Sequence, residues 1–324
     1  MKSKKKASRA DQARWAEERA SKVEAAQAAL KDGLSKLVTG DDWKGLLQRV
    51  AKNARRRLSP RRYSFGNQMI VAMAEAALGL DGSAVGTFNA WKHAGRTVKK
   101  GAKAVYILQP RVWKGEREND EGEVETRRGV FFRPLPVFLL GQTEGEPLAE
   151  PESIVREVED EERFAAHLQE LREVALAIEG QPVASLTVRA RQPGDSREAL
   201  GWYVRGFRDI VVVDTGNRSM MFKTCVHEVA HALMHGVDHH GYAHNECEAE
   251  SVAFIVASVF ELDTSGYSFP YVATWASRNA AEKDPAKVVQ ASGARILKAV
   301  NTILDALLGE VEAADGASQE VEAA

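Results

Sequence analysis

The pentapeptide HEVAH, with His227, Glu228 and His231, sits in the helical pattern MMFKTCVHEVAHALMH. At about 100° per residue, positions four apart differ by roughly 40°, so both imidazoles point the same way and can grip one ion. Glu228 stands beside them, where a carboxylate can take a proton from a water that the ion has acidified. Such a site needs a third protein ligand and an open fourth position. The segment NECEAESVAFIV supplies candidates on a following helix. Glu246 and Glu250 are four apart and continue a stripe with Ala249, Ala253, Val256 and Phe260, so both face the first helix. A carboxylate aimed inward is costly without a partner, and a metal with its histidines provides one. Glu246 is taken as third ligand and Glu250 as the group that orients an imidazole; the spacing also allows these two roles to be exchanged. Asn245 and Glu248 read as an N-cap and N3 pair, a capping box at the start of that helix. His235, one turn beyond His231, and His239, His240 and His244 in GVDHHGYAHNE read as solvent-exposed neighbours of the site. Cys225 and Cys247 point away from it and read as buried core thiols. Tyr242, Tyr267 and Tyr271 could each donate to an oxyanion, and the sequence selects none of them.

A second kind of chemistry is written in RRRLSPRRYSFGN and TFNAWKHAGRTVKKGAKAVYILQP. Single-stranded nucleic acid is held by basic side chains along its phosphates and by aromatic faces under its bases, and these segments interleave the two. Arg61, Arg62, Arg96, Lys99, Lys100 and Lys103 are candidate phosphate contacts. Tyr63, Phe65, Phe88, Trp91 and Tyr106 are candidate stacking platforms.

The elements that must position these residues follow from periodicity. Residues 1–38 read as a basic, exposed amphipathic helix, and Asp41 or Asp42 can cap a second helix through Trp43, Leu46, Leu47 and Val50. A third is expected from about Gln68 to Leu78. The β-rich runs VYILQPRVW and GVFFRPLPVFLL read as paired strands around a charged, mobile hairpin tip at 111–128. The acidic, Pro-containing stretch 146–161 is the expected linker. Beyond it the pattern predicts a helix over 162–179, strands near 184–190, 201–207 and 210–213, and helices over 219–235, 245–261, 270–280 and 285–308. Residues 310–324 are acidic and apolar-poor, a tail expected to stay unpacked. The fold class expected is α+β in two domains, residues 39–145 and 162–309.

The charge is divided in the same way. Residues 1–110 carry 23 Lys+Arg against 9 Asp+Glu, a balance of +14, which leaves 21 against 37, or −16, for the remainder of the 324-residue chain. A basic lobe on an otherwise acidic chain points to a polyanionic partner. No apolar run approaches the roughly 18 residues of a membrane span, and the basic N-terminus lacks the apolar core of a signal peptide. With two cysteines and no CxxC pair, a reducing, cytoplasmic setting is expected.

YSFGNQ, TFNAWKHAGRTVKKGAKAVYILQP and VFLLGQTEG resemble the N-terminal single-stranded DNA-binding domain of ArdC-type antirestriction proteins, also found at the front of TraC-type plasmid primases. HEVAHALMH, followed by ECEAESVAFIV and DTSGYSFPYVATWA, resembles the zinc-metallopeptidase-like, gluzincin-like domain that follows it in that family. The resemblance implies a protein of plasmids or phages that guards incoming DNA against restriction, with Zn2+ on His227, His231 and Glu246 and with Glu228 in the catalytic position. It covers neither residues 1–38, nor 111–128, nor the tail. Two functions compete: strand binding that shields DNA, with a zinc domain that is structural or cleaves a protein not named by the sequence, and a regulatory zinc metalloprotease of the ImmA/IrrE kind acting on a host or repressor protein. A purely structural zinc domain is disfavoured, because it has no need of Glu228 beside its ligands.

Overall fold

The computed structural model describes residues 8–37, 39–80, 84–118, 124–149, 151–154, 156–236, 241–267, 269–270 and 284–309. The expected helix at 270–280 and the acidic tail therefore fall almost wholly outside the described residues, as do His239, His240 and Tyr271.

Helix α1 (Arg9–Lys36) opens on a capping box in which Ser8 Oγ accepts from the Asp11 backbone N–H. Far from standing off as an extension, it buries Ala26, Gly33 and Leu34 against α3 (Phe65–Ala77) and the base of a long β-ribbon. Helix α2 (Gly40–Asn53) starts from a second capping box. The cap is Thr39, not Asp41 or Asp42, and Asp42 is its N3 partner. The ribbon pairs β3 (Val105–Glu118) with β4 (Val124–Leu139) in antiparallel register from Val105↔Val137 to Glu118↔Val124. The stretch expected as a mobile tip is thus strand through Glu118 and again from Val124. Strand β1 (Val85–Gly86) edges β4, helix α4 (Phe88–His93) follows it, and β2 (Arg96–Val98) pairs with β5 (Thr143–Gly145).

The second half begins with α5 (Arg156–Glu159) and α6 (Glu161–Leu176). A small mixed sheet follows, ordered β6 (Ser185–Arg189), β8 (Asp209–Val213), β7 (Gly201–Val204), with β6 parallel and β7 antiparallel to β8. Helices α7 (Arg218–His235), α8 (Tyr242–Val259) and α9 (Pro285–Leu308) follow among the described residues.

Helix α8 is buried nearly all round because its neighbours come from both halves: α7, α9 and, from the N-terminal half, α2. The apolar stripe Trp43, Leu46, Leu47 and Val50 recurs at helical spacing and lies in the same core as Val252, Phe254 and Ile255. Trp43 Nε1 donates to Ser251 Oγ at 2.9 Å, and Ser251 in turn donates to the Cys247 carbonyl. The acidic stretch separates the halves along the chain, but the main core does not divide there. A smaller core lies between α3 and the ribbon around Ile70, Val71, Ile107 and Val137.

Where α3 meets α9, Gly293 lies under the Phe65 ring, and a Cβ there would stand 2.3 Å from Phe65 Cδ2. Gly293→Ala should therefore cost about 1–3 kcal/mol by overpacking. Gly45→Ala, on α2 with nothing within 4 Å of the added methyl, should stabilise by up to about 1 kcal/mol through helix propensity alone. Urea denaturation of the two variants checks the opposite signs.

Candidate metal centre

The HEVAH segment lies in the middle of α7, and α8 crosses it so that Glu246 meets both imidazoles. His227 Nε2 and His231 Nε2 are 3.1 Å apart. Glu246 places Oε2 3.5 Å from the first and Oε1 3.4 Å from the second. One ligand atom from each of the three residues falls within 4.8 Å of the others, the only such group among the described residues. Two imidazole nitrogens and a carboxylate oxygen converging in this way are a donor set that fits a divalent ion such as zinc. Burial works against the Glu246 charge, yet hydrogen bonds to His227 and His231 hold its carboxyl well below the usual range. Burial likewise opposes a charge on His227, and Glu246 and Glu250 overcome it, lifting the imidazole to about 10.

Each histidine is oriented through its other nitrogen. His227 Nδ1 lies 3.1 Å from Glu250 Oε2, which leaves Nε2 aimed at the site. His231 Nδ1 lies 3.0 Å from His235 Nδ1, and His235 Nε2 lies 2.9 Å from Glu248 Oε2. A carboxylate only accepts, so His235 donates from Nε2 and accepts at Nδ1. His231 must then donate from Nδ1, and its Nε2 lone pair is free for an ion. Burial lowers the His235 pKa, which keeps this ring neutral. Glu248 is fully buried and also takes His244 Nε2 at 2.9 Å and the Arg295 guanidinium of α9. Burial alone would raise its carboxyl; these three partners hold it far below the usual range.

Two readings of the sequence are corrected here. Helix α8 begins at Tyr242 after Gly241, whose φ of 98° suits glycine, so Asn245 and Glu248 lie inside the helix and form no capping box. His235 and His244 are buried members of the carboxylate network, not exposed neighbours. The spacing His227, His231, His235 was a usable signal, since the third histidine continues the stripe of the first two. Cys225 and Cys247 are buried free thiols, pushed up to about 12 by burial.

Glu228 is buried at the wall of a cleft of about 640 Å³ that holds the three candidate ligands. Burial raises its carboxyl pKa against the pull of His227 and His231, the state of a group ready to accept a proton. Strand β7, at the edge of its sheet, runs along the same cleft. Gly201 makes this approach possible: a Cβ there would stand 2.6 Å from Thr224 Cγ2 and 3.2 Å from Glu228 Cγ. The Tyr203 backbone N–H donates to Glu228.

The basic segment is arranged otherwise than expected. Arg61 is buried and, with Arg62, pairs with Asp305 of α9. Tyr63, Phe65 and Trp91 are core residues; Trp91 is fully buried and donates from Nε1 to the Phe138 carbonyl. In this fold Arg61, Tyr63, Phe65 and Trp91 are covered and offer no phosphate contact or stacking face, while Arg62 stays partly exposed beside Asp305. Arg96 is spent on Thr143, Gly145 and Glu146, and Lys99 donates to the Gly141 carbonyl. Lys100, Lys103 and Phe88 are exposed, and Lys22 stands over the Tyr106 ring.

Residues 28–138 match the family described as the N-terminal domain of anti-restriction factor ArdC. An uncharacterized protein of Bacillus anthracis, pXO2-81, is 25% identical over an alignment of 227 positions that covers 59% of this chain and 38% of that protein. The chain thus spans little more than a third of that relative. Two crystal structures of the antirestriction ArdC protein from R388 plasmid are similar at 18% identity. The metal-free one has a TM-score of 0.46 and covers 77% of this chain and 87% of its own. For the Mn(II)-bound one the values are 0.45, 81% and 98%. No helix among the described residues is long and apolar enough to cross a membrane.

His227→Ala and Glu246→Ala should each lose the ion, whereas Glu250→Ala and Glu248→Gln should weaken it by about 10- to 100-fold. Chelator competition with elemental analysis reads both effects, and loss in Glu250→Ala with retention in Glu246→Ala would exchange those two roles. A thiol reagent at pH 8 should label neither cysteine in the native protein and both in denaturant. At a pKa of about 12 the thiolate fraction at that pH is on the order of one in ten thousand.

Proposed function

We infer that this chain is a single-stranded DNA-binding antirestriction protein of a mobile element, carrying in its second half a zinc centre of the metallopeptidase kind. The observation that carries the reading is the ArdC N-terminal domain over residues 28–138, in a stretch that holds most of the +14 balance of residues 1–110. The intended partner is the incoming strand, bound through its phosphates and bases with little sequence preference.

In the second half, His227, His231 and Glu246 hold the ion, with His235, Glu248 and Glu250 fixing the ligand rings. When bound, such an ion supplies Lewis-acid polarisation. Glu228 takes up the proton of the attacking water, and its burial keeps its basicity high enough for that task. The β7 edge beside it can pair with an extended peptide. That edge favours the second reading, a regulatory zinc metalloprotease of the ImmA/IrrE kind whose target is a host or repressor protein.

Glu228→Gln separates the two. Glu228 neither holds the ion nor lies in the basic half, so the variant should keep fold, metal and strand binding while losing general-base activity. In a transfer assay into a restricting host it should protect as well as the parent if the protein coats the strand. Loss of protection in a variant whose DNA affinity, zinc and manganese content are unchanged would overturn shielding and favour the protease.

A further inference from the structure

Beyond Ile107 and Val137, which are buried on α3, the ribbon β3–β4 runs on with half-exposed side chains. Its register pairs Gln109 with Arg133, Arg111 with Phe131 and Trp113 with Gly129. Side chains alternate along a strand and directly opposed residues share a face, so Arg133, Arg111, Phe131 and Trp113 lie on one side of the ribbon. The indole of Trp113 lies across two glycines. A Cβ at Gly129 would stand 2.5 Å from Trp113 Nε1 and one at Gly115 2.9 Å from Cζ3. Only hydrogen fits beneath the ring. Even so, Trp113 is 47% exposed and Phe131 52% exposed, an arrangement that keeps flat aromatic surface in water without the cover that burial would bring.

This part of the ribbon carries one sign of charge, with Glu24 of α1 the acidic neighbour across the groove beside it. Residues 105–115 and 128–139 contain Arg111, Lys114, Arg128 and Arg133 and no Asp or Glu. Gln109 Oε1 accepts from Arg111 Nη2 at 2.9 Å and so steadies the guanidinium. Between the ribbon and α1 runs a groove to which Arg19, Arg111, Phe131 and Arg133 all contribute. Exposed rings framed by cations fit a polyanion that offers flat faces. Duplex DNA turns its base faces inward, and a single strand presents them.

We propose that the far part of the β3–β4 ribbon, on the face that nearer its base carries Ile107 and Val137, is the platform for single-stranded DNA, with Trp113 and Phe131 stacking on bases and Arg111 and Arg133 meeting the flanking phosphates. This rests on the strand-binding reading above and moves the site away from Tyr63, Phe65 and Trp91, which the fold buries. Glycine at 115 and 129 is part of the site, since any side chain there would lift the indole off the ribbon.

The test uses the full chain and labelled oligo-dT in fluorescence anisotropy. Trp113→Ala and Phe131→Ala should each weaken binding by about 5- to 150-fold, the range of one base stack. Trp113→Phe should recover part of that loss, and Trp113→Ala should leave the salt slope unchanged because no phosphate contact is removed. Arg111→Gln should flatten the slope by about 0.7. Thermal melting and metal content serve as folding controls and should match the parent. If the parent binds oligo-dT and the double variant Trp113→Ala/Phe131→Ala binds equally well, the ribbon assignment is overturned while strand binding stands. A parent that ignores oligo-dT brings down the strand-binding reading itself. Equal loss of duplex and single-strand affinity in Trp113→Ala would also overturn the proposal.

Discussion

Glu248 is a carboxylate with no access to water, and the rest of the second half is arranged around what that costs. A buried charge is tolerated only when it is paired and its lone pairs are filled. Here the partners come from three helices: His235 from α7, His244 from α8 itself and Arg295 from α9. Their demands set the register of the helices against one another. With Glu248 turned into the core, Glu246 and Glu250, two residues to either side on α8, are turned toward the cleft. One meets the Nε2 atoms of His227 and His231, and the other meets His227 Nδ1. The same carboxylate orders the protons of His235 and His231, so the tautomer of a candidate ligand is set from inside the core.

Helix α8 links this arrangement to the N-terminal half. The Trp43 stripe of α2 packs in its core and Trp43 donates to Ser251. Arg61 and Arg62 reach Asp305 on α9, and Gly293 of α9 receives the Phe65 ring. The basic half and the metal-site half are therefore joined by apolar packing and by buried polar contacts. Part of the positive charge of the basic segment is consumed as structural pairing. Exposed positive charge lies farther out, on the ribbon and at Lys100 and Lys103 among other positions.

Much of this protein was legible in its sequence. Two histidines four apart on a helix share a face whatever else the chain does, and the Glu246/Glu250 stripe follows from the same geometry. The paired strands of the ribbon, the three strands of the second half and the division of charge are likewise local or additive properties, which periodicity and counting report directly, whereas the mixed pairing of those three strands is not. The tertiary structure decided what depends on the opposite partner. Trp43 and Ser251 are 208 residues apart, and no local pattern announces such a contact. Glu248 reads as the N3 partner of an Asn245 cap because i,i+3 spacing cannot show that the helix begins earlier or that His235 and Arg295 wait across the core. Tyr63, Phe65 and Trp91 suited stacking or packing equally by type, and Trp113 gave no sign that two glycines would lie beneath its ring. Burial is a property of what covers a residue, and only the folded chain supplies the cover.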